Sequence, residues 1–241
     1  VPPAGPLGNV MNYILDGVRQ ALALLLDGDP ETFSAVWTTL VVTFEAMAAT
    51  LVLGAPAGFL LGYCTFPGKR AARLVVETFL SFPTVVIGLV VYAFISRRGP
   101  LGEWGLLFTV PGMAVGLTIL GLPIVIALTA QAVENLDPRL RPTLLTLGAK
   151  PRHVFWATVS EARFGMLLAT TAAFGRIVSE IGISMMLGGN IKWDTRTITT
   201  AIALETGKGE FATGIALGIV LMVIAFAVNL VAAACRGRSA A

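Results

Sequence analysis

Three ionisable residues stand where an apolar chain has least reason to keep them. Glu45, Arg176 and Glu180 each interrupt a long run of Ala, Val, Leu, Ile, Phe and Gly. A charge in such surroundings is costly, and it persists as an ion pair or because it meets a charged cargo. Arg176 and Glu180 are four residues apart and share a helix face. An arginine there presents a planar fork of donors to an oxyanion. Paired with Glu180 or Glu45, it becomes a structural group instead, and its pull on an anion is cancelled. Both readings stand on the residues alone. Ser179 adds a hydroxyl to the same candidate path.

Other chemistries find no residues to perform them. The single histidine, His153, makes no metal site alone. Cys64 and Cys235 sit at the ends of apolar runs without metal-ligand spacing, so they read as lipid-facing or packed thiols. A protease working inside a membrane would need Ser/His, paired Asp or His-Glu-x-x-His within its spans. Here the histidine lies in a loop and no Asp lies in a span. No Gly-x4-Gly-Lys-Ser/Thr phosphate loop occurs, so any ATP-driven step belongs to another polypeptide. The net charge of +3 forms no dense basic tract, which gives no reason to expect nucleic acid.

The elements that must position these residues follow from composition. Of 241 residues, 56% are hydrophobic and 13% charged, against about 25% charged in a soluble domain. A bilayer accepts that surface directly. Five runs reach the roughly 20 apolar residues that a spanning helix needs: Trp37 to Tyr63, Leu74 to Ser96, Pro111 to Val133, Phe164 to Leu187 and Ala212 to Cys235. The expected fold is an all-α membrane protein. The runs are continuous rather than alternating, which excludes a β-barrel pattern. Apolar residues at Leu7, Met11, Ile14, Val18, Leu22 and Leu25 form a stripe with three-four spacing. That stretch reads as an amphipathic helix on the membrane surface, with a sixth span as the alternative. Asp29 and Pro30 then supply a cap and a first-turn proline for the first span. The chain therefore divides into an amphipathic segment over 1–29, a membrane domain over 30–235 and a tail over 236–241.

Lysines and arginines orient the spans. Ten fall on the side holding Lys69, Arg139, Arg152 and Arg236, and six on the side holding Arg97, Arg98 and Lys192. The excess puts the C-terminus in the cytoplasm and the N-terminus outside. In that frame Arg176 lies roughly 18 Å from the inner end of its span and Glu45 about 12 Å from the outer end of its own, depths that match in a core about 30 Å thick.

The cytoplasmic loop over 136–163 carries more pattern than a loop needs. Asp137 and Pro138 open a short helix expected to run to Leu147, with Leu136, Leu140, Leu144 and Leu147 along one side. Gly148 supplies a left-handed corner and Pro151 opens the next helix. An elbow with an apolar stripe and a basic rim of Arg139, Arg141, Lys150 and Arg152 is a docking surface. A solvated loop is the plainer alternative. Beyond the fourth span, Gly188-Gly189-Asn190 marks an outer end, and Thr195 to Glu205 reads as a short helix.

Leu147-Gly148-Ala149 followed by Phe155, between the third and fourth of five spans, resembles the coupling loop of ABC importer permeases. The family's Glu-Ala-Ala is replaced by Pro142-Thr143-Leu144, and its Ile-x-Leu-Pro by Thr158-Val159-Ser160-Glu161. Ser81-Phe82-Pro83-Thr84-Val85-Val86-Ile87-Gly88-Leu89 is similar to the second span of molybdate, sulfate and tungstate permeases. Phe174-Gly175-Arg176-Ile177-Val178-Ser179-Glu180-Ile181-Gly182, Met185 to Ile191 and Thr199 to Thr206 are closest to the tungstate branch. The resemblance implies a type I importer permease, a transport subunit rather than an enzyme, in a bacterial or archaeal inner membrane surrounded by lipid. It implies alternating access by a homodimer, with two ATP-binding subunits that carry ATP and magnesium. It adds Ala149 and Phe155 to the coupling residues. It also implies an extracytoplasmic oxyanion-binding protein, for which Gly189, Asn190, Lys192 and Arg196 are the contact candidates. Tungstate is the expected cargo, with molybdate or sulfate on the same fold as alternatives. A membrane transporter or receptor outside this family is the reading from a different class.

Overall fold

The structure is a computed structural model that describes residues 29–237 and, before them, residues 17–19 and 23. The interfacial helix expected over Leu7 to Leu26 thus lies largely outside the described residues, as do the side chains from Cys235 onward. The described elements are α1 (Pro30–Tyr63), α2 (Lys69–Leu80), α3 (Thr84–Ile95), a 3-10 turn (Gly102–Trp104), α4 (Val110–Glu134), α5 (Leu140–Thr146), α6 (Pro151–Val178), α7 (Gly182–Gly188), α8 (Ile198–Gly207) and α9 (Phe211–Gly237). No strand occurs among the described residues.

The start of α1 follows its local code. Asp29 accepts from Thr32 N–H at 2.7 Å, and Pro30 occupies the first turn, where its missing N–H costs nothing. With 34 residues, α1 is about 51 Å long at 1.5 Å per residue. That exceeds a hydrocarbon core about 30 Å thick, so α1 leans or projects beyond it.

The frame is the contact between α1 and α4. Glycines recur every fourth residue along α1, at Gly54, Gly58 and Gly62, and their missing side chains let α4 come in close. A Cβ at Gly58 would stand 2.6 Å from the Ile126 carbonyl oxygen, and one at Gly62 would stand 2.7 Å from that of Ala130. Small residues at this spacing are how membrane helices gain contact without a hydrophobic drive between them. Around this pair lies the main core. It comprises Val42, Ala46 and Met47 of α1, Ile87, Val91 and Ile95 of α3, Met113, Leu117 and Val125 of α4, Ala173 and Ile177 of α6, and Ile183 and Leu187 of α7. A smaller cluster ties α8 to the N-terminal halves of α1 and α9 through Ala35, Ile198, Ala201, Leu217 and Val220.

Three helices, α1, α4 and α9 over Phe211–Ala234, are continuous and apolar enough to cross a bilayer. The expected second and fourth spans depart from single rods. The second breaks between α2 and α3 with a bend of 99°. Pro83 has no N–H to continue a ladder, and proline forces Phe82 before it out of helical geometry. The limb before the break, α2, buries none of its residues. It packs along α4 from Ala127 to Glu134, where Lys69 and Arg73 both pair with Glu134. The fourth span bends by 60° between α6 and α7.

A glycine that admits a neighbouring backbone cannot carry a side chain. Gly58→Leu is expected to lower stability by about 1–3 kcal/mol through overpacking. The check is detergent-induced unfolding of the purified chain, with an exchange at the open position Gly175 as control.

Candidate translocation path and docking surfaces

The break after α6 is built around one carboxylate. Glu180 is 5% exposed. Its Oε2 accepts from Arg176 Nη1 at 2.8 Å, and its Oε1 accepts from Ile183 N–H, in the first turn of α7, at 3.3 Å. Its backbone carbonyl takes the hydroxyls of Ser184, at 3.3 Å, and of Thr199 in α8, at 3.2 Å. One residue thus joins α6, α7 and α8 and satisfies the backbone groups that the bend would strand. Ser179 closes α6 by donating its hydroxyl to the carbonyls of Gly175 and Arg176. That proton is committed inside the helix, which leaves Ser179 lone pairs rather than a donor for an incoming anion.

Arg176 takes Glu180 as its partner, as the four-residue spacing allows, and not Glu45. Glu45 is half-buried on α1 and makes no ion pair or hydrogen bond among the described residues. The pair is lopsided. The Arg176 side chain is 40% exposed while that of Glu180 is 4% exposed. Guanidinium carries five N–H donors, and only Nη1 is engaged. Donors on the exposed side remain open for a tetrahedral oxyanion.

The elbow forms where it is expected, with shorter arms. Asp137 Oδ1 accepts from Arg139 N–H at 2.8 Å, a local turn that absorbs Pro138 and delays α5 to Leu140. The corner at Gly148 has φ +77°. Ala149 N–H donates to the Leu144 carbonyl and Gly148 N–H to that of Leu145, both at 3.0 Å, the paired arrangement that ends helices on a left-handed residue. Pro151 then opens α6. The leucine stripe divides. Leu136, Leu140 and Leu144 are half-buried, while Leu147, expected beside them, is 78% exposed because the corner turns it outward. Phe155 packs at 5.1 Å from Phe59 and near Tyr63, so its ring anchors the foot of α6 to α1. Arg139, Arg141, Lys150 and Arg152 are exposed, with no ion pair among the described residues. The most exposed apolar groups among them are Leu145, Leu147 and Trp156, and Phe155 shows one edge. Leu145 and Trp156 escaped the sequence reading, which followed a three-four stripe that neither joins.

At the opposite end, Lys192 and Arg196 are not free. Both pair with Glu31 of α1, Lys192 at 2.6 Å, and Arg196 Nε also donates to Asn190 Oδ1 at 3.2 Å. Gly189 and Asn190 carry positive φ, which turns the chain into this loop. Thr195, fully buried, donates to the Gly188 carbonyl and accepts from Ile191 N–H. The helix expected over Thr195 to Glu205 becomes α8, Ile198–Gly207, because Thr197 and Thr200 cap each other. Glu31, Lys192, Arg196, Glu205 and Lys208 line a cleft of about 430 Å³. Arg97 and Arg98, counted in the sequence only as loop charges, border another of about 660 Å³ with Tyr92, Ser96 and Phe108. Both arginines are exposed and lack ion pairs among the described residues.

Removing one partner of a buried pair leaves the other stranded. Glu180→Ala is expected to destabilise the fold by about 3–5 kcal/mol, and Glu180→Gln, which keeps an acceptor for Ile183 N–H, by less. Unfolding of the purified variants in mixed micelles reads the difference.

Comparison with known proteins agrees with this architecture. The family model described as "Binding-protein-dependent transport system inner membrane component" matches residues 54–238. The chain is 48% identical over 221 residues to the tungstate uptake system permease protein TupB of Campylobacter jejuni, covering 92% of each. It is 36% identical to the TupB of Peptoclostridium acidaminophilum, covering 92% of this chain and 97% of that one. The inward-facing MetNI methionine ABC transporter shares the fold, with a TM-score of 0.69 at 21% identity over 85% of this chain and 94% of that one. A bundle with two broken spans, an elbow between the third and fourth and a match over most of its length places this chain in the family of inner membrane components of binding-protein-dependent transport systems, with the fold of a type I ABC importer permease.

Proposed function

We propose that this chain is the membrane path of a tungstate importer, working as a homodimer by alternating access. The observation that carries the cargo is the 48% identity to a tungstate uptake permease over 92% of both chains. The positive-side excess supports placing the elbow end in the cytoplasm. There Leu145, Leu147 and Trp156, rimmed by Arg139, Arg141, Lys150 and Arg152, fit a groove on each of two ATP-hydrolysing subunits. Leu140, Leu144, Gly148, Ala149 and Phe155 shape the elbow from behind. ATP binding draws the two elbows together, and the rigid α6 carries that movement toward the break at Glu180. The cavity then opens outward, and hydrolysis resets it.

An external binding protein delivers the anion at the opposite end. The Arg97–Arg98 cleft presents positive charge there, while in the cleft rimmed by Lys192, Arg196 and Lys208 the cations are balanced by Asp29, Glu31 and Glu205. Gly189 and Asn190 shape the loop that carries the second. Within the path, Arg176 meets the oxyanion with its open donors. Glu180 cancels most of its field, which suits a path, because a group that held its cargo tightly would stall transport. Glu45, unpaired at matching depth, repels an anion and favours its passage over its retention.

The test is reconstitution of the complex in proteoliposomes with its ATPase and its binding protein. Tungstate-loaded binding protein is expected to raise ATPase activity and drive uptake, while sulfate and molybdate at equal concentration give a small fraction of that rate. A larger response to either would transfer the assignment to that anion. Arg176→Gln is expected to assemble with both partners and lose most uptake. A variant that fails to assemble would mark Arg176 as a structural group only.

A further inference from the structure

Along Leu40 to Leu51 of α1, Leu167 to Phe174 of α6 and Val228 to Ala232 of α9, the three helices do not close on one another. Between them runs a wholly apolar groove of about 570 Å³, lined by Phe44, Met47 and Leu51, by Leu167 and Phe174, and by Val231. Three threonines also line it: Thr43 is buried, and neither Thr170 nor Thr171 offers it a donor. Thr170 donates to the Met166 carbonyl at 2.9 Å and Thr171 to that of Leu168 at 3.0 Å, both within α6. A dry, open channel at membrane depth admits hydrocarbon and excludes water.

One end of the groove is charged. On α6, Leu167, Thr170, Thr171 and Phe174 repeat at three and four, and the same stripe continues one turn toward the elbow to Arg163. Helical side chains lean toward the N-terminus of their helix, so Arg163 reaches away from the groove toward the elbow-side interface. It is exposed and forms no ion pair among the described residues. Its recorded contact is the face of the Phe164 ring, 4.8 Å from its Cζ. Arg163 directly precedes the apolar run that opens at Phe164, and Tyr63 with Phe155 packs at the elbow end of α1 two turns below it. In α9, Arg236 follows the groove residue Ala232 by one turn. The cation therefore stands at headgroup level beneath an acyl-sized groove. Basic pockets between membrane helices hold anionic headgroups in this way.

We propose that this groove is a site for an anionic phospholipid, with one acyl chain between α1, α6 and α9 and its phosphate on Arg163. Arg176 lies two residues beyond Phe174, about 200° around α6, on the opposite face. The helix that carries the path would thus have lipid bound along its back. The proposal needs only that the chain spans a bilayer, and it stands or falls independently of the cargo.

Native mass spectrometry of the purified full chain, with phosphatidylglycerol or phosphatidylcholine of the same acyl chains added to the micelle, tests it. Phosphatidylglycerol is expected to be retained about fivefold better, in line with one interfacial cation. Arg163→Gln should erase the preference and Arg163→Lys restore it. Leu167→Trp, which fills the groove, should reduce retention of both lipids. Equal retention by the unaltered chain, or an unchanged preference in Arg163→Gln, overturns the proposal. So does a disulfide formed through Phe44→Cys or Leu167→Cys in a chain lacking Cys64 and Cys235, either between two copies or to a second cysteine introduced by Ile14→Cys, since either would show the groove covered by protein.

Discussion

Hydrocarbon offers a peptide group no partner, so every bend of the main chain within a membrane must bring its own. That constraint explains why the most interesting residues of this chain sit where two candidate spans among the described residues break. At Pro83 the missing N–H removes the need for an acceptor, and the limb before it lies along α4 with Lys69 and Arg73 on Glu134. After Val178 the solution is a side chain. The buried carboxylate of Glu180 takes an N–H of α7 and a guanidinium of α6, while its carbonyl takes two hydroxyls. The same carboxylate that holds the joint together sets how much positive charge Arg176 can show. Geometry of the bend and electrostatics of the path are therefore one arrangement, and neither changes alone.

The two faces of α6 divide the labour. One carries Arg176, half exposed on a side that this single chain leaves open. The other carries Arg163, Leu167 and Phe174 against an apolar groove. Its foot is fixed by the Phe59–Tyr63–Phe155 cluster and its start by the corner at Gly148. A long helix clamped at the bottom and jointed at the top transmits a push at the elbow to the joint with little loss. The glycine contact between α1 and α4 extends the body to which that foot is fixed.

Much of this was legible in the residues because it is written locally. Asp29 and Pro30 start α1, Gly148 turns the elbow and Pro151 restarts the helix. Each does so through a cap, a ring or a missing Cβ acting on its immediate neighbours. The Arg176–Glu180 pair was legible as a four-residue spacing, although the choice between Glu180 and Glu45 was not. What hydropathy hid was the break at Pro83. A run of apolar residues adds up to a span whether or not its first limb, from Lys69 to Leu80, is buried. Long-range pairing was hidden as well. Glu31 takes Lys192 and Arg196 from 165 residues away in the latter case, and no periodicity encodes that. The outward turn of Leu147 follows from the corner at Gly148, which a stripe drawn on an ideal helix cannot include.

The central claim is that the corner at Gly148 faces the cell interior and is held there by the ATP-hydrolysing subunit. In a chain lacking Cys64 and Cys235, a cysteine placed by Leu147→Cys reports on both halves of that claim. A membrane-impermeant maleimide added to sealed, inside-out vesicles should label it quickly when the ATPase is stripped away and slowly when it is bound, and should not label it in intact cells. Labelling from outside intact cells, or a rate indifferent to the ATPase, would contradict the account.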